Sequence, residues 1–247
     1  MNLKNKTILV TGSSSGIGQA IATACAKQGA IVLVHYRNNE KGAQATLKQV
    51  KNYAQGSVFQ ADLSNLAEVK ILFAKITKEY PKLDCLINNA GEFLSGNLDD
   101  YDLWQSEFQN IFFTTLYVTN EFLQTKSSKG LRKIVNISSV YSFLNTGSPE
   151  GMQYCAAKAA INSLTVNLAK KLAPHILVNA VAPGYTLTPN WKGVSKKDKQ
   201  TAANFTKIKR FITPEEVASV VVTLLQNDAI TGEIIRIDGG LHLSEIF

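Results

Sequence analysis

The chain has 247 residues, 45% of them hydrophobic and 18% charged, with a formal net charge of +7. That length suits one large domain, 1–247, with a sizeable core, and the composition is that of an ordinary globular protein rather than a disordered or fibrous one. No apolar run reaches the length of a membrane span, residues 1–6 lack the apolar core of a secretory signal, and three cysteines with three scattered histidines offer neither a disulfide framework nor a metal site. A reducing, cytoplasmic compartment is expected.

The first apolar run, 7–10, predicts a short strand, and Thr11-Gly12-Ser13-Ser14-Ser15-Gly16-Ile17-Gly18 then opens a helical run. A glycine-rich turn between strand and helix lets bare backbone approach an anion while unpaired helix N-terminal N–H groups point at it. The spacing G-x-x-x-G-x-G, with no Lys-Ser/Thr pair after it, disfavours a nucleoside triphosphate loop and fits a dinucleotide site. An ordinary turn before a helix is the alternative. After a small-residue helix ending near Gly29, the run 30–34 is continuously apolar, as a strand buried on both faces should be, and it leads to His35-Tyr36-Arg37. In a dinucleotide fold the end of the second strand meets the adenosine ribose, where an acid binds the 2′-hydroxyl of NAD and an arginine accommodates the 2′-phosphate of NADP. No acid is present. Arg37, with Ser13 and Ser14 as potential phosphate donors, points to NADP(H), the alternative being a solvated arginine.

A polar helix over about 39–54 and a strand over 57–60 lead to Asp62, placed either to read the adenine amino group or to cap a helix over 65–79. That helix carries Leu66, Val69, Leu72, Phe73 and Ile76 on one face. A fourth strand, 83–87, ends in Asn88-Asn89-Ala90-Gly91, and the alternation so far predicts a parallel, doubly wound sheet. Between 100 and 124, Trp104, Phe108, Ile111, Thr115, Val118 and Phe122 recur at three- and four-residue steps, which predicts one long amphipathic helix. Asn110 falls in its middle, weakening it or merely exposed. Strand 133–137 delivers Ser138 and Ser139 to the sheet edge where ligands bind. The helix starting around Gln153 carries Tyr154 and Lys158 one turn apart. An ammonium there is expected to lower the tyrosine pKa from about 10 toward working pH, as a general acid/base requires. Taken alone, such a pair is more often surface decoration.

These motifs, in this order, resemble the short-chain dehydrogenase/reductase family over nearly the whole chain. Gly12, Gly16 and Gly18 match its cofactor turn, 88–91 its fourth-strand motif, and Asn110, Ser139, Tyr154 and Lys158 its catalytic tetrad; 178–184 and 235–240 resemble its last two strands. The resemblance implies a seven-stranded Rossmann fold with helices on both faces and no metal. It also implies a cofactor site made of Gly12, Ser13, Ser14, Ser15, Gly16, Ile17, Gly18, Arg37, Asp62, Leu63, Asn89, Ala90, Gly91, Tyr154, Lys158, Pro183, Gly184, Thr186 and Thr188, the two threonines meeting the nicotinamide carboxamide. It further implies hydride transfer between nicotinamide and a carbonyl. Tyr154 protonates the alkoxide, Ser139 holds the carbonyl oxygen, Lys158 holds the ribose and lowers the tyrosine pKa, and Asn110 holds a water that relays protons to Lys158. One departure is the fifteen-residue step from Ser139 to Tyr154, longer than usual in the family, which a loop at 142–151 absorbs. Ser138 remains a second claimant to the serine role.

The resemblance makes 186–212 a substrate lid. Its segment 190–212 holds Lys192, Lys196, Lys197, Lys199, Lys207, Lys209 and Arg210 against Asp198 alone, interleaved with Trp191, Phe205 and Phe211. An apolar pocket behind a positive rim suits an acyl chain on an acidic carrier, and 210–216 and 230–233 are similar to 3-oxoacyl-[acyl-carrier-protein] reductases. Where those enzymes show docking arginines, this chain has Lys126, Lys129, Lys133, Lys170, Lys171 and His175 instead. A solvated lysine face is the plain alternative. The other readings are a sugar, polyol, steroid or small xenobiotic carbonyl as substrate, and a non-catalytic NADP-binding sensor on the same fold. Nucleic acid is not an expected partner, since no recognised binding module is present. The family commonly forms homotetramers, and the apolar tail 241–247 suits such a contact.

Overall fold

The structure, a computed structural model, describes residues 1–127 and 130–244. Lys129 and the end of the apolar tail, Glu245, Ile246 and Phe247, lie outside the described residues. In chain order the elements are β1 (Thr7–Val10), α1 (Gly16–Lys27), β2 (Ile31–Tyr36), α2 (Glu40–Lys51), β3 (Gly56–Gln60), α3 (Leu66–Glu79), β4 (Cys85–Asn88) and α4 (Tyr101–Glu107). A π-helical turn (Phe108–Phe113) follows, then α5 (Thr114–Gln124), β5 (Arg132–Ile137), α6 (Met152–Leu172), β6 (Ile176–Pro183), α7 (Lys196–Phe205), α8 (Pro214–Gln226) and β7 (Ile234–Ile237).

The strands form one parallel sheet in the order β3-β2-β1-β4-β5-β6-β7. Side-chain alternation along each strand divides the core into two layers. Ile8 and Val10 of β1 pack with α1, α2 and α8 on one face, while Leu9 packs with α3, α5 and α6 on the other. Because β1 pairs with both β2 and β4, the chain leaves it in opposite directions on its two sides, and the crevice beyond its C-terminal end is where such sheets bind ligands. β2 runs past 34 to include His35 and Tyr36, which pair with Phe59 and Gln60 of β3.

The expected single helix over 100–124 is two helices joined by the π turn that contains Asn110. In the wider turn the Gln109 carbonyl accepts from both the backbone N–H and the hydroxyl of Thr114, the latter at 3.1 Å, so the side chain reinforces the break. Helix α8 begins with a capping box of Thr213 and Glu216 behind Pro214, and Arg210 grips the same Glu216 carboxylate with both guanidinium ends at 2.7 and 2.8 Å. Arg210 is therefore committed to the helix cap. Lys133, one of the lysines standing where carrier-protein reductases show docking arginines, is withdrawn from the surface. It is 1% exposed, with its ammonium on the Leu224 carbonyl, the Asn227 carbonyl and the Asp228 carboxylate at the end of α8. Among the described residues no helix is long and apolar enough to cross a membrane, and no cluster of three or more His, Cys, Asp or Glu is placed to hold a metal ion.

Candidate active site

The crevice has two lobes that share Gly12, Asn89, Gly91 and Glu92. The first, about 290 Å³, is bounded by Ser14, Arg37, Asn39, Asp62, Leu63, Ala90 and Asn110. The second, about 620 Å³, is bounded by Ser15, Gly16, Ile17 and Gly18 on one side and by Ser139, Tyr154, Lys158, Pro183, Gly184, Thr186 and Thr188 on the other.

The glycine turn is held from three directions. Gly12 takes a φ of +60°, its N–H donates to His35 Nδ1 at 3.1 Å, and the Asn89 amide donates to the Thr11 and Gly12 carbonyls at 2.9 and 3.0 Å. Thr11 Oγ1 in turn accepts from the Asn89 and Ala90 N–H groups. Space in the turn is nearly nil, since a Cβ on Gly18 would lie 2.5 Å from both Gly12 O and Asn89 Nδ2. The start of α1 is left open to an anion: the Ser15 side chain makes no capping bond and no acid stands in the first turn. A bare backbone cradle, an uncapped helix N-terminus and an arginine at the end of β2 together fit a dinucleotide phosphate.

His35 was not singled out from the sequence, where it reads as an ordinary strand residue. It is 2% exposed, its Nδ1 accepts from Gly12, and Nε2 therefore carries the proton and bonds the Ala61 carbonyl at 3.1 Å. Burial pushes its pKa down to about 4, the bond to Ala61 and the nearby Asp62 charge opposing it. Between the ordinary value of 6.5 and about 4 the unfolded chain binds a proton that the folded one does not. Stability therefore falls as pH drops through that window, by about 3 kcal/mol once pH is below both values. Urea unfolding of the wild type and of His35→Gln at pH 7.5, 5.5 and 4.5 is expected to show the loss in the wild type and a flatter dependence in the variant.

Ser13 departs from expectation. Its side chain is fully buried, donating to the Val10 carbonyl at 2.7 Å and accepting from the His35 N–H, so it faces the sheet and has no hydroxyl to offer a phosphate. Ser14 lines the first lobe with Arg37, whose guanidinium also donates to Asn110 Oδ1 at 3.3 Å. Asp62 does not cap α3, a task taken by Asn65. Burial raises the Asp62 pKa, but two hydrogen bonds from Ser64 and the Arg37 charge outweigh it and keep the carboxylate ionised on the lobe wall.

At the end of β5 the two serines separate. Ser138 Oγ donates to Asn162 Oδ1 at 2.6 Å and lies against Ser142, whereas Ser139 faces the second lobe, accepts from the Tyr141 N–H and interacts with the Tyr154 phenol. Lys158 Nζ donates to the Ile137 carbonyl at 2.7 Å and stands 5.7 Å from the centre of the Tyr154 ring. The expected lowering of the tyrosine pKa is not what this geometry produces. Burial pushes the Tyr154 phenol up to about 12 despite the hydrogen bond to Ser139, and the Glu107 charge adds to the rise. Lys158 is itself pushed down to about 8 by burial. At neutral pH the tyrosine is thus a protonated donor. Asn110, in the π turn, lines the first lobe: its Oδ1 accepts from Arg37 and its Nδ2 donates to Ser106 Oγ at 3.1 Å. The buried polar group whose charge reaches Lys158 is Glu107, which sequence reading missed because it sits among helix-period residues with no motif around it.

The outer wall of the second lobe is aromatic. Phe93, Tyr141, Tyr185 and Trp191 line it, Tyr141 and Tyr185 share a hydroxyl–hydroxyl bond of 2.8 Å, and Phe211 backs Trp191 edge-on at 4.6 Å. Phe205 does not reach the lobe. The lysines of α7 are mostly exposed, outside this wall.

A dinucleotide cradle continuous with a pocket holding a serine, a tyrosine and a lysine, at the switch point of a parallel sheet, defines an oxidoreductase of the doubly wound class. Residues 12–242 match the family model described as Enoyl-(Acyl carrier protein) reductase. The 3-oxoacyl-[acyl-carrier-protein] reductase FabG of Aquifex aeolicus is 36% identical, the match covering 98% of this chain and 99% of that protein. Among solved structures, the angucycline C-6 ketoreductase LanV with bound NADP is similar at a TM-score of 0.90 and 28% identity, over 98% of each chain. An actinorhodin polyketide ketoreductase variant with NADPH is similar at 0.87 and 29%, over 96% of this chain and 97% of that one. The chain belongs to the short-chain dehydrogenase/reductase family of oxidoreductases.

Proposed function

We propose that the chain is an NADPH-dependent ketone reductase, with a 3-oxoacyl thioester on an acyl carrier protein as its substrate. The observation that carries the reductase reading is the protonated Tyr154 phenol beside Ser139, on the wall of the lobe that is continuous with the glycine turn. Gly12 to Gly18 and the start of α1 hold the pyrophosphate, Arg37 and Ser14 the 2′-phosphate, Asp62 and Leu63 the adenine, and Asn89, Ala90 and Gly91 the floor between the lobes. Pro183, Gly184, Thr186 and Thr188 face the nicotinamide end. When bound, NADPH supplies the hydride. Ser139 Oγ–H donates to the substrate carbonyl oxygen and stabilises the charge that builds there. The Tyr154 phenol gives that oxygen its proton, and the Lys158 ammonium above the ring stabilises the phenolate left behind.

The substrate reading is supported by the similarity to carrier-protein reductases and by the exposed lysines of α7, which suit an acidic carrier. A second reading, a fused-ring ketone, is favoured by the aromatic wall of Phe93, Tyr141, Tyr185 and Trp191, which offers flat faces for stacking. NADPH absorbance is followed with a 3-oxoacyl thioester on acyl carrier protein, the same acyl group on a short thiol, and a fused bicyclic ketone, at low and high salt. Rapid oxidation that favours the carrier-bound form and weakens with salt is expected. Turnover of the bicyclic ketone alone selects the second reading, and turnover of none of the three with NADPH still binding rejects both. The same reading has the chain assembling as a homotetramer in a reducing, cytoplasmic compartment, supported by the exposed Phe113 at the end of the π turn and by Cys25, Cys85 and Cys155 all being free thiols.

A further inference from the structure

The loop after β4 is bonded to α4 and α6 at Leu94 and carries Phe93 to the wall of the second lobe. The Leu94 peptide is held on both sides by side chains that are themselves buried. Glu107 of α4, 1% exposed, accepts from the Leu94 N–H through Oε1 at 2.9 Å, and Gln153 of α6, 0% exposed, donates to the Leu94 carbonyl at 3.0 Å. Next along the loop, the Phe93 ring stands edge-on to Tyr154 with centroids 5.1 Å apart, and a Cβ on Gly151 would run into its far edge. The arrangement is costly. The Glu107 carboxyl is buried, and among the described residues the buried Gln153 oxygen has no hydrogen-bond partner, a cost that an apolar pair of the same size would avoid.

We propose that Glu107 is a positioning residue for Tyr154: with Gln153 it clamps Leu94 and so fixes Phe93 against Tyr154. The proposal rests on the reading of Tyr154 and Lys158 as the reacting pair. The ionisable groups that face Glu107 are Glu92 from the loop and Lys158 and Tyr154 from α6. Burial raises the Glu107 pKa to about 7, with the Leu94 N–H and Lys158 opposing the rise. Glu107 and Lys158 each favour the charged form of the other.

The test uses Glu107→Gln, which keeps an acceptor for the Leu94 N–H but removes the charge, Glu107→Leu, which removes both, and Gln153→Met, which opens the other side of the clamp. Hydrogen exchange over 92–96 is read on the protein without cofactor, and kcat and KM are read with it. In Glu107→Gln, the conservative variant, exchange and kcat stay close to wild type. In Glu107→Leu and in Gln153→Met, exchange over 92–96 speeds by about tenfold or more, and kcat falls about tenfold with KM much less changed. Exchange unchanged in Gln153→Met overturns the clamp even if Glu107→Leu fails to fold. The cofactor-free readout stands whether or not a ketone is turned over, so a wrong catalytic reading shows separately, as a wild type that turns over no ketone.

Discussion

Tyr154→Phe is expected to lower kcat for ketone reduction by about three orders of magnitude while leaving NADPH affinity within about twofold of wild type. The Tyr154 phenol stands beside Ser139 on the lobe wall and is un-ionised at neutral pH, its pKa pushed up to about 12. Removing it leaves Ser139 able to orient a carbonyl but not to complete the proton transfer. The ring itself stays, and with it the edge contact to Phe93 and the face beneath Lys158, so the glycine turn and the first lobe are undisturbed. The direction of the pH dependence follows from the same values. Below about 8 Lys158 is charged and Tyr154 protonated, which suits reduction, and the alkaline loss of reductase activity follows Lys158 rather than the tyrosine. Absorbance at the NADPH band gives kcat, and a fluorescence titration gives the affinity. A wild type that binds NADPH yet turns over no carbonyl would sink the catalytic assignment and select the sensor reading.

The sheet was legible because its strands speak through composition: runs such as 30–34 are apolar at every position, and only strands covered on both faces read so. The glycine turn was legible because its spacing and its place after a strand are local. What the sequence hid were side chains whose roles depend on partners far along the chain. Ser13 and Ser14 are neighbours with the same hydroxyl, yet the Val10 carbonyl and the His35 N–H draw one into the sheet and leave the other on the lobe wall. Nothing local to Lys133 announces that the end of α8, more than ninety residues later, closes over it. Asn110 was recognised as a weak point in a helix, but the remedy, a π turn satisfied by Thr114, needed the backbone to be seen. The direction of the Tyr154 pKa failed for a related reason. Helical spacing shows that Lys158 is near, whereas the depth of burial, which decides the sign here, is a property of the whole fold.

Gly18→Ala carries the other large expected effect, a rise of about 10- to 100-fold in the NADPH dissociation constant, because a single methyl group has nowhere to go. Its Cβ would stand 2.5 Å from the Gly12 carbonyl oxygen and 2.5 Å from Asn89 Nδ2, with Ser13 Cα at 2.9 Å. Two of these three atoms are backbone, so the clash cannot be relieved by turning a side chain. The third belongs to the amide that ties the loop after β4 to the glycine turn through its bonds to Thr11 and Gly12. The methyl group therefore pushes apart the two walls that the lobes share. Gly16 presents a different case: its φ of +56° disfavours any side chain, but its Cβ would meet Thr188 at no closer than 3.4 Å, so alanine there strains the backbone without splitting the turn. Gly147, with nothing within 4 Å of its Cβ, is the control in which both affinity and stability stay at wild-type values. Fluorescence titration of NADPH into the three alanine variants, with thermal unfolding of each alone, separates the explanations. An ordering of Gly18, then Gly16, then Gly147 in lost affinity is what close packing of the turn requires, and equal affinities in Gly18→Ala and Gly147→Ala would mean that the cofactor does not lie against this turn.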